Sequence, residues 1–118
     1  MKLPNHEKAV IPSEKIVDYL LSFVHKDGRS KAEFFTRFGF ASEDWQAFAD
    51  ALKLHAARHE VSKTEASPFG MRYIIEGELK TPDERNPKVR VVWFIETDTD
   101  LPHLVTAYPS KKERKRND

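Results

Sequence analysis

The spacing of apolar residues changes character at Val61, and that change decides what the chain can fold into. Before it, apolar side chains recur every three or four residues: Ile16, Tyr19, Leu20 and Phe23, then Ala32, Phe35 and Phe38, then Trp45, Phe48, Leu52 and Ala56. Each set makes one stripe along an α-helix. After it the period is two, so that Met71, Tyr73, Ile75 and Leu79 share one face of an extended strand. A stripe and a pleated face both need covering, and helices stacked on one face of an antiparallel sheet cover both. The sequence therefore predicts an α+β fold, with about three N-terminal helices packed on a three- to four-stranded antiparallel meander.

Punctuation residues set the boundaries. Residues 1–12, with prolines at 4 and 12, read as an extended lead-in. Ser13 caps a helix over Glu14–Ser22, and Ser30 caps a second over Lys31–Phe38. Glu33 completes a capping box with Ser30, and Gly39 stands where a left-handed C-cap belongs. Ser42 caps a third helix that runs to about Arg58. Val61–Ala66 is expected at a sheet edge, because Val and Thr alternate with charges. Ser67–Gly70 is a turn, Met71–Lys80 a strand, and the proline-flanked segment 81–87 a hairpin loop. Lys88–Thr97 is apolar on both faces apart from Arg90, which places it centrally in the sheet. Thr97–Asp100 turns into a last strand, Leu101–Tyr108, which Pro109 stops. Residues 1–109 form one domain, and 110–118, containing Lys111-Lys112-Glu113-Arg114-Lys115-Arg116, are expected to be a disordered basic tail.

Several function classes are excluded. With no cysteine, the chain has neither disulfides nor zinc–thiolate sites. There is no Gly-rich phosphate loop and no G-x-S-x-G elbow. The net charge of +1 does not describe a polycation. No apolar run approaches the ~20 residues that span a bilayer, and Met1–Asn5 lacks the apolar stretch of a signal peptide, so a cytoplasmic protein with no membrane contact is expected. His55 and His59 stand four apart without the intervening glutamate of a zinc protease, and read as exposed histidines at a helix end. Asp98 and Asp100 lack the glycine and distal glutamate of a calcium loop. No metal and no cofactor is expected.

Chemistry is most concentrated in Val24–Phe35. His25, Arg29 and Lys31 would sit near the first-turn amides of a helix, where backbone donors and the dipole favour an anion such as phosphate. The plain alternative is a turn with solvated charges. On the strands, Arg90 must reach an open face or be paired, and Arg72 lies in the neighbouring strand. Strict alternation in the last strand would put Leu104, Thr106 and Tyr108 on one face and His103, Val105 and Ala107 on the other. Arg72, Arg90, Thr106 and Tyr108, met by His25 and Lys31 from the helical layer, would line an anion-binding cleft if the strand registers bring them together.

These same segments carry a resemblance. Leu3-Pro4-Asn5, Lys15–Leu20, His25–Phe35, Gly39-Phe40, Phe69–Tyr73, Val89–Ile95 and Pro102–Pro109 resemble, over nearly the whole chain, a family of small bacterial domains of unassigned function. Such domains occur as stand-alone genes beside small antitoxin-like partners and as C-terminal modules of polymorphic toxins. The order of helices then sheet is similar to that of the ribonuclease toxin superfamily that includes barnase, EndoU, colicin and RelE. This resemblance implies metal-independent RNA cleavage by 2′-hydroxyl attack on phosphate. It makes His25 the acid or base, with Lys31 and Arg90 stabilising charge and Thr106 and Tyr108 donating hydrogen bonds. Arg29, Arg72 and Trp93 would bind substrate. The implied partners are RNA and a cognate antitoxin or immunity-like protein. Two other readings stay open: a non-catalytic protein-binding module, immunity-like or an adaptor, and a nucleic-acid-binding domain driven by the basic tail.

Overall fold

The computed structural model describes residues 1–110, so the basic tail from 111 onward lies outside the described residues. The helical half contains α1 (Ser13–Lys15), which runs on as a π-helical stretch over Ile16–Leu20, then α2 (Arg29–Arg37), and then α3 (Trp45–Arg58), entered through a 3₁₀ turn at Ser42–Asp44. The sheet half contains β1 (Val61–Ser67), β2 (Gly70–Glu78), β3 (Lys88–Glu96) and β4 (His103–Pro109). The strands lie side by side in sequence order and every neighbouring pair is antiparallel. This is the α+β meander expected, with four strands.

One face of the sheet supplies the core. Ile75, Leu79, Val89, Val91, Trp93, Leu104 and Ala107 are buried against Ile16, Leu20, Phe35, Phe48 and Leu52 of the helices. Among the described residues, no helix lies over the opposite face, which carries Arg72, Ile74, Glu76, Arg90, Val92 and Phe94. The cross-strand pairs Arg72↔Phe94, Ile74↔Val92 and Glu76↔Arg90 line these residues up. The β1 strand is the exposed edge that its Val/Thr/charge alternation implies.

Several boundaries differ from expectation for physical reasons. The lead-in is not wholly extended: His6–Lys8 forms a 3₁₀ turn, and Val10 pairs in parallel with His103, covering the start of the β4 edge. The first helix switches to a π turn, with the Leu21 N–H donating to the Ile16 carbonyl at 2.8 Å. None of Ser13, Ser30 or Ser42 makes a side-chain cap; each lies inside its helix, behind Pro12, Gly28 and Ala41. The Ser30–Glu33 capping box is therefore absent. α2 instead starts two residues early, and Glu33 pairs with Arg29 at 3.6 Å. Gly39 fulfils its role, with φ of 106° just past α2.

The most consequential difference lies in β4. Val92 pairs with Thr106 but Trp93 pairs with Leu104, which makes Val105 an extra residue, a β-bulge. Leu104 therefore shares the core face with Ala107, while Thr106 and Tyr108 lie on the other side. The strict alternation expected for this strand is broken there.

Candidate functional site

The turn between the π-helical stretch and α2 is built around His25. Its Nδ1 accepts the N–H groups of Asp27 and Gly28 at 3.0 and 3.1 Å, and its own carbonyl accepts from the Gly28 and Arg29 amides. Two donors on Nδ1 put the neutral ring's proton on Nε2, the nitrogen left available to a substrate. The Ser22 hydroxyl holds the approach to this turn by accepting the Val24 and His25 N–H groups. Gly28 closes it, since any Cβ there would lie 2.0 Å from the Tyr19 carbonyl oxygen.

Tyr19 joins this turn to the sheet. Its ring meets the His25 ring edge-on at 4.9 Å, and its hydroxyl hydrogen-bonds the Thr106 hydroxyl at 2.9 Å. The ammonium groups of Lys15 and Lys31 each lie 5.5 Å from the Tyr19 ring centroid, and Lys31 also donates to the Asp27 carbonyl at 3.1 Å. Tyr19, His25, Asp18, Asp27, Val105 and Thr106 line an open cleft of about 690 Å³ beside the β4 edge. Residues 87 apart in sequence thus meet at one point. An imidazole presenting an N–H, two hydroxyls and two nearby ammonium groups are a set suited to holding an anionic substrate.

A second hollow, of about 250 Å³, lies on the bare sheet face and is lined by Arg72, Arg90, Tyr108 and Thr106 among others. Thr106 is a wall of both. Of the expected site residues, His25 and Thr106 meet in the first cleft, while Arg72, Arg90, Tyr108 and again Thr106 meet in the second. Arg90 faces the open side and is half-buried. Its Nε lies 3.2 Å from the Glu76 carboxylate, although that N–H is not aimed at it. Arg72 is looser, 3.8 Å from Glu65. Lys31 reaches the cleft only through Tyr19 and the Asp27 carbonyl. Arg29 stands on the α2 surface with Glu33, apart from the residues lining both hollows.

Trp93 is a correction: it is fully buried on the helix-covered face, between Tyr73 of β2 and Leu104 of β4, and touches neither hollow. Tyr19, which sequence reasoning counted as core only, lines the His25 cleft. Its one outward signal is position, six residues before the histidine on an apolar stripe.

His55 and His59 are also placed differently from expectation. The His55 ring is buried, donates to the Gly77 carbonyl at 3.2 Å and packs 4.7 Å from the His59 ring. Burial, with help from the neighbouring His59, pushes its pKa down from 6.5 to about 4. Among the described residues, no three His, Asp or Glu side chains cluster as metal ligands, and no helix is long and apolar enough to cross a membrane.

The fold is similar to that of a chain in the contact-dependent growth inhibition toxin–immunity protein complex from Klebsiella pneumoniae 342. The TM-score is 0.62 at 14% identity, covering 86% of this chain and 100% of that one. At such identity the likeness speaks for a shared fold. No curated protein matches the sequence. Residues 2–111 match the family described as a domain of unknown function, DUF6883, and the chain belongs to that family.

Proposed function

We propose that this domain is the toxic member of a toxin–immunity pair and that it cleaves RNA. The observation that carries the reading is the convergence of His25, Tyr19 and Thr106 in one cleft, bridged by the 2.9 Å hydroxyl pair. The Asp18 carboxylate, which lines the same cleft, takes the proton of a ribose 2′-hydroxyl and the 2′-oxygen attacks the adjoining phosphorus, while the His25 Nε2–H donates to a phosphate oxygen. The Thr106 and Tyr19 hydroxyls donate to the phosphate oxygens as negative charge builds on them. Lys31 and Arg90 supply positive charge from either side, that of Arg90 partly met by Glu76. The bond from phosphorus to the 5′-oxygen then breaks. Tyr108, in the adjoining hollow, protonates the departing oxygen, leaving a 2′,3′-cyclic phosphate and a 5′-hydroxyl. Arg72 holds flanking phosphate, and every step is carried by side chains. The immunity partner would act by covering this cleft. In support, the fold occurs in a toxin–immunity protein complex.

The second reading, a non-catalytic immunity-like or adaptor module, draws on the charge pairing of the sheet face. Arg72 and Arg90 are both matched by carboxylates, and Phe69 is 73% exposed nearby. Induced expression decides between the two. The nuclease reading expects growth arrest with fragmented cellular RNA, relieved by His25→Ala, and cleavage by the purified protein that survives a chelator. Normal growth with intact RNA would sink it.

A further inference from the structure

We propose that the bare face of the sheet carries a base-stacking subsite, formed by Phe94 and Phe69, for an unpaired stretch of the RNA whose phosphate reacts beside His25. This rests on the ribonuclease reading above.

Three hollows run in series. The His25 cleft shares Thr106 with the Arg90–Tyr108 hollow. That hollow in turn shares Arg72 and Glu65 with a third, of about 320 Å³, lined by Phe94 and Phe69. Strand register explains the alignment: Glu65, Arg72 and Phe94 stand abreast on β1, β2 and β3, and Val92 stands beside Thr106. From Thr106 on β4 to Glu65 on β1 is three strand spacings, roughly 14 Å, the reach of a few nucleotides.

The chemistry along this path suits a polynucleotide single strand. Lys63, Arg72 and Arg90 face two carboxylates, Glu65 and Glu76, which leaves one positive charge in excess. Each guanidinium has an aromatic cross-strand neighbour, Arg90 beside Tyr108 and Arg72 beside Phe94, the combination that neutralises phosphates while stacking bases. Phe69 is presented outward on an ordered turn: its N–H donates to the Ser67 hydroxyl at 3.2 Å and its carbonyl accepts the Thr97 N–H at 2.9 Å. A duplex keeps its base faces stacked on one another, so only an unpaired segment can use these rings. Stacking tolerates any base, and no sequence preference is expected at this position.

The test is a length series of unpaired oligoribonucleotides sharing one cleavable step, assayed with wild type, Phe69→Ala and Phe94→Leu. Thermal unfolding serves as the folding check. Phe69 is exposed, so its replacement leaves the fold intact, and leucine keeps the half-buried Phe94 position apolar. For wild type, kcat/KM should rise with length to a plateau. Phe69→Ala should lower it on the longer substrates by roughly 5- to 150-fold, the range of one lost base stack. The loss should appear in KM, with kcat and the shortest substrate unchanged. Cleavage with no length dependence, or an equal loss at every length, overturns the subsite and leaves the ribonuclease reading standing. A wild-type protein that cuts no RNA of any length overturns both. If Phe69→Ala instead weakens an inhibitory protein partner and spares RNA kinetics, the face is a protein-docking surface and the subsite is refuted.

Discussion

Replacing His55 by glutamine should flatten the acid side of the protein's stability curve. His55 is 2% exposed and its ring is held neutral, with a pKa of about 4 against 6.5 for a free side chain. The unfolded chain therefore binds a proton that the folded chain refuses between those two values, and stability must fall as pH falls through the window. The contribution is fully present above about pH 6.5 and fully lost below about pH 4. At about 1.36 kcal/mol per tenfold change in proton affinity, the loss comes to roughly 3 kcal/mol. In a domain of this size that is a fall in Tm of roughly 10–20 °C. Glutamine keeps an N–H for the Gly77 carbonyl and does not titrate, so the difference between variant and wild type isolates the imidazole from every carboxylate that titrates in the same range. Urea unfolding followed by circular dichroism between about pH 7 and pH 4 reads it directly. Wild type should lose roughly 3 kcal/mol more than His55→Gln across that window. Parallel curves for the two proteins would refute the argument, because a ring that protonates freely in the folded state carries no such linkage.

Other perturbations separate the scaffold from the site. Gly28→Ala should destabilise the domain by about 2 kcal/mol or more, since a Cβ 2.0 Å from the Tyr19 carbonyl forces backbone to move; thermal unfolding measures it. Thr106→Val keeps the shape and removes the hydroxyl that meets Tyr19. Stability should change by only about 1 kcal/mol, while on the ribonuclease reading RNA cleavage falls by about 100-fold, a split read from Tm and kcat on one preparation. Trp93→Ala should cost about 3–5 kcal/mol through lost packing, whereas Trp93→Phe should leave KM for RNA unchanged if the residue has no substrate contact.

The layering was legible because hydrophobic period is a property of neighbouring residues. The switch at Val61, the edge character of β1 and the central position of β3 all follow from alternation that can be counted. Helix starts were less legible, because serine is only one of the groups able to satisfy first-turn amides. At α2 the His25 carbonyl accepts the Arg29 amide while its ring holds the Asp27 and Gly28 amides just before the helix, and Ser30 is left inside the helix. Trp93 was named for substrate binding without a face assigned to it, and a strand apolar on both sides does not say which one the helices cover. Arg90 was left with two outcomes, an open face or a charge partner, and the fold gives it both, since it lies opposite the helices and near Glu76. The site itself was half visible. His25, Thr106 and Tyr108 carry chemistry that stands out in a sequence, whereas Tyr19 reads as one more core aromatic until the fold sets its hydroxyl against a strand 87 residues away.

The extra residue at Val105 has a consequence for how related chains can diverge. Pleat parity ties every side chain in a strand to its neighbours, so most single-residue insertions turn an entire strand over. Here the reversal is confined between Leu104, which stays in the core, and Thr106, which does not. A relative that lacked the residue could keep both faces of β4 as they are and lose only the local kink that brings Thr106 to Tyr19. Loss of one codon would then separate Thr106 from Tyr19 without unfolding the domain. Among family members, the number of residues between the Pro102 position and the Thr-x-Tyr motif should distinguish domains that keep the Tyr19–Thr106 contact from those that retain the scaffold alone.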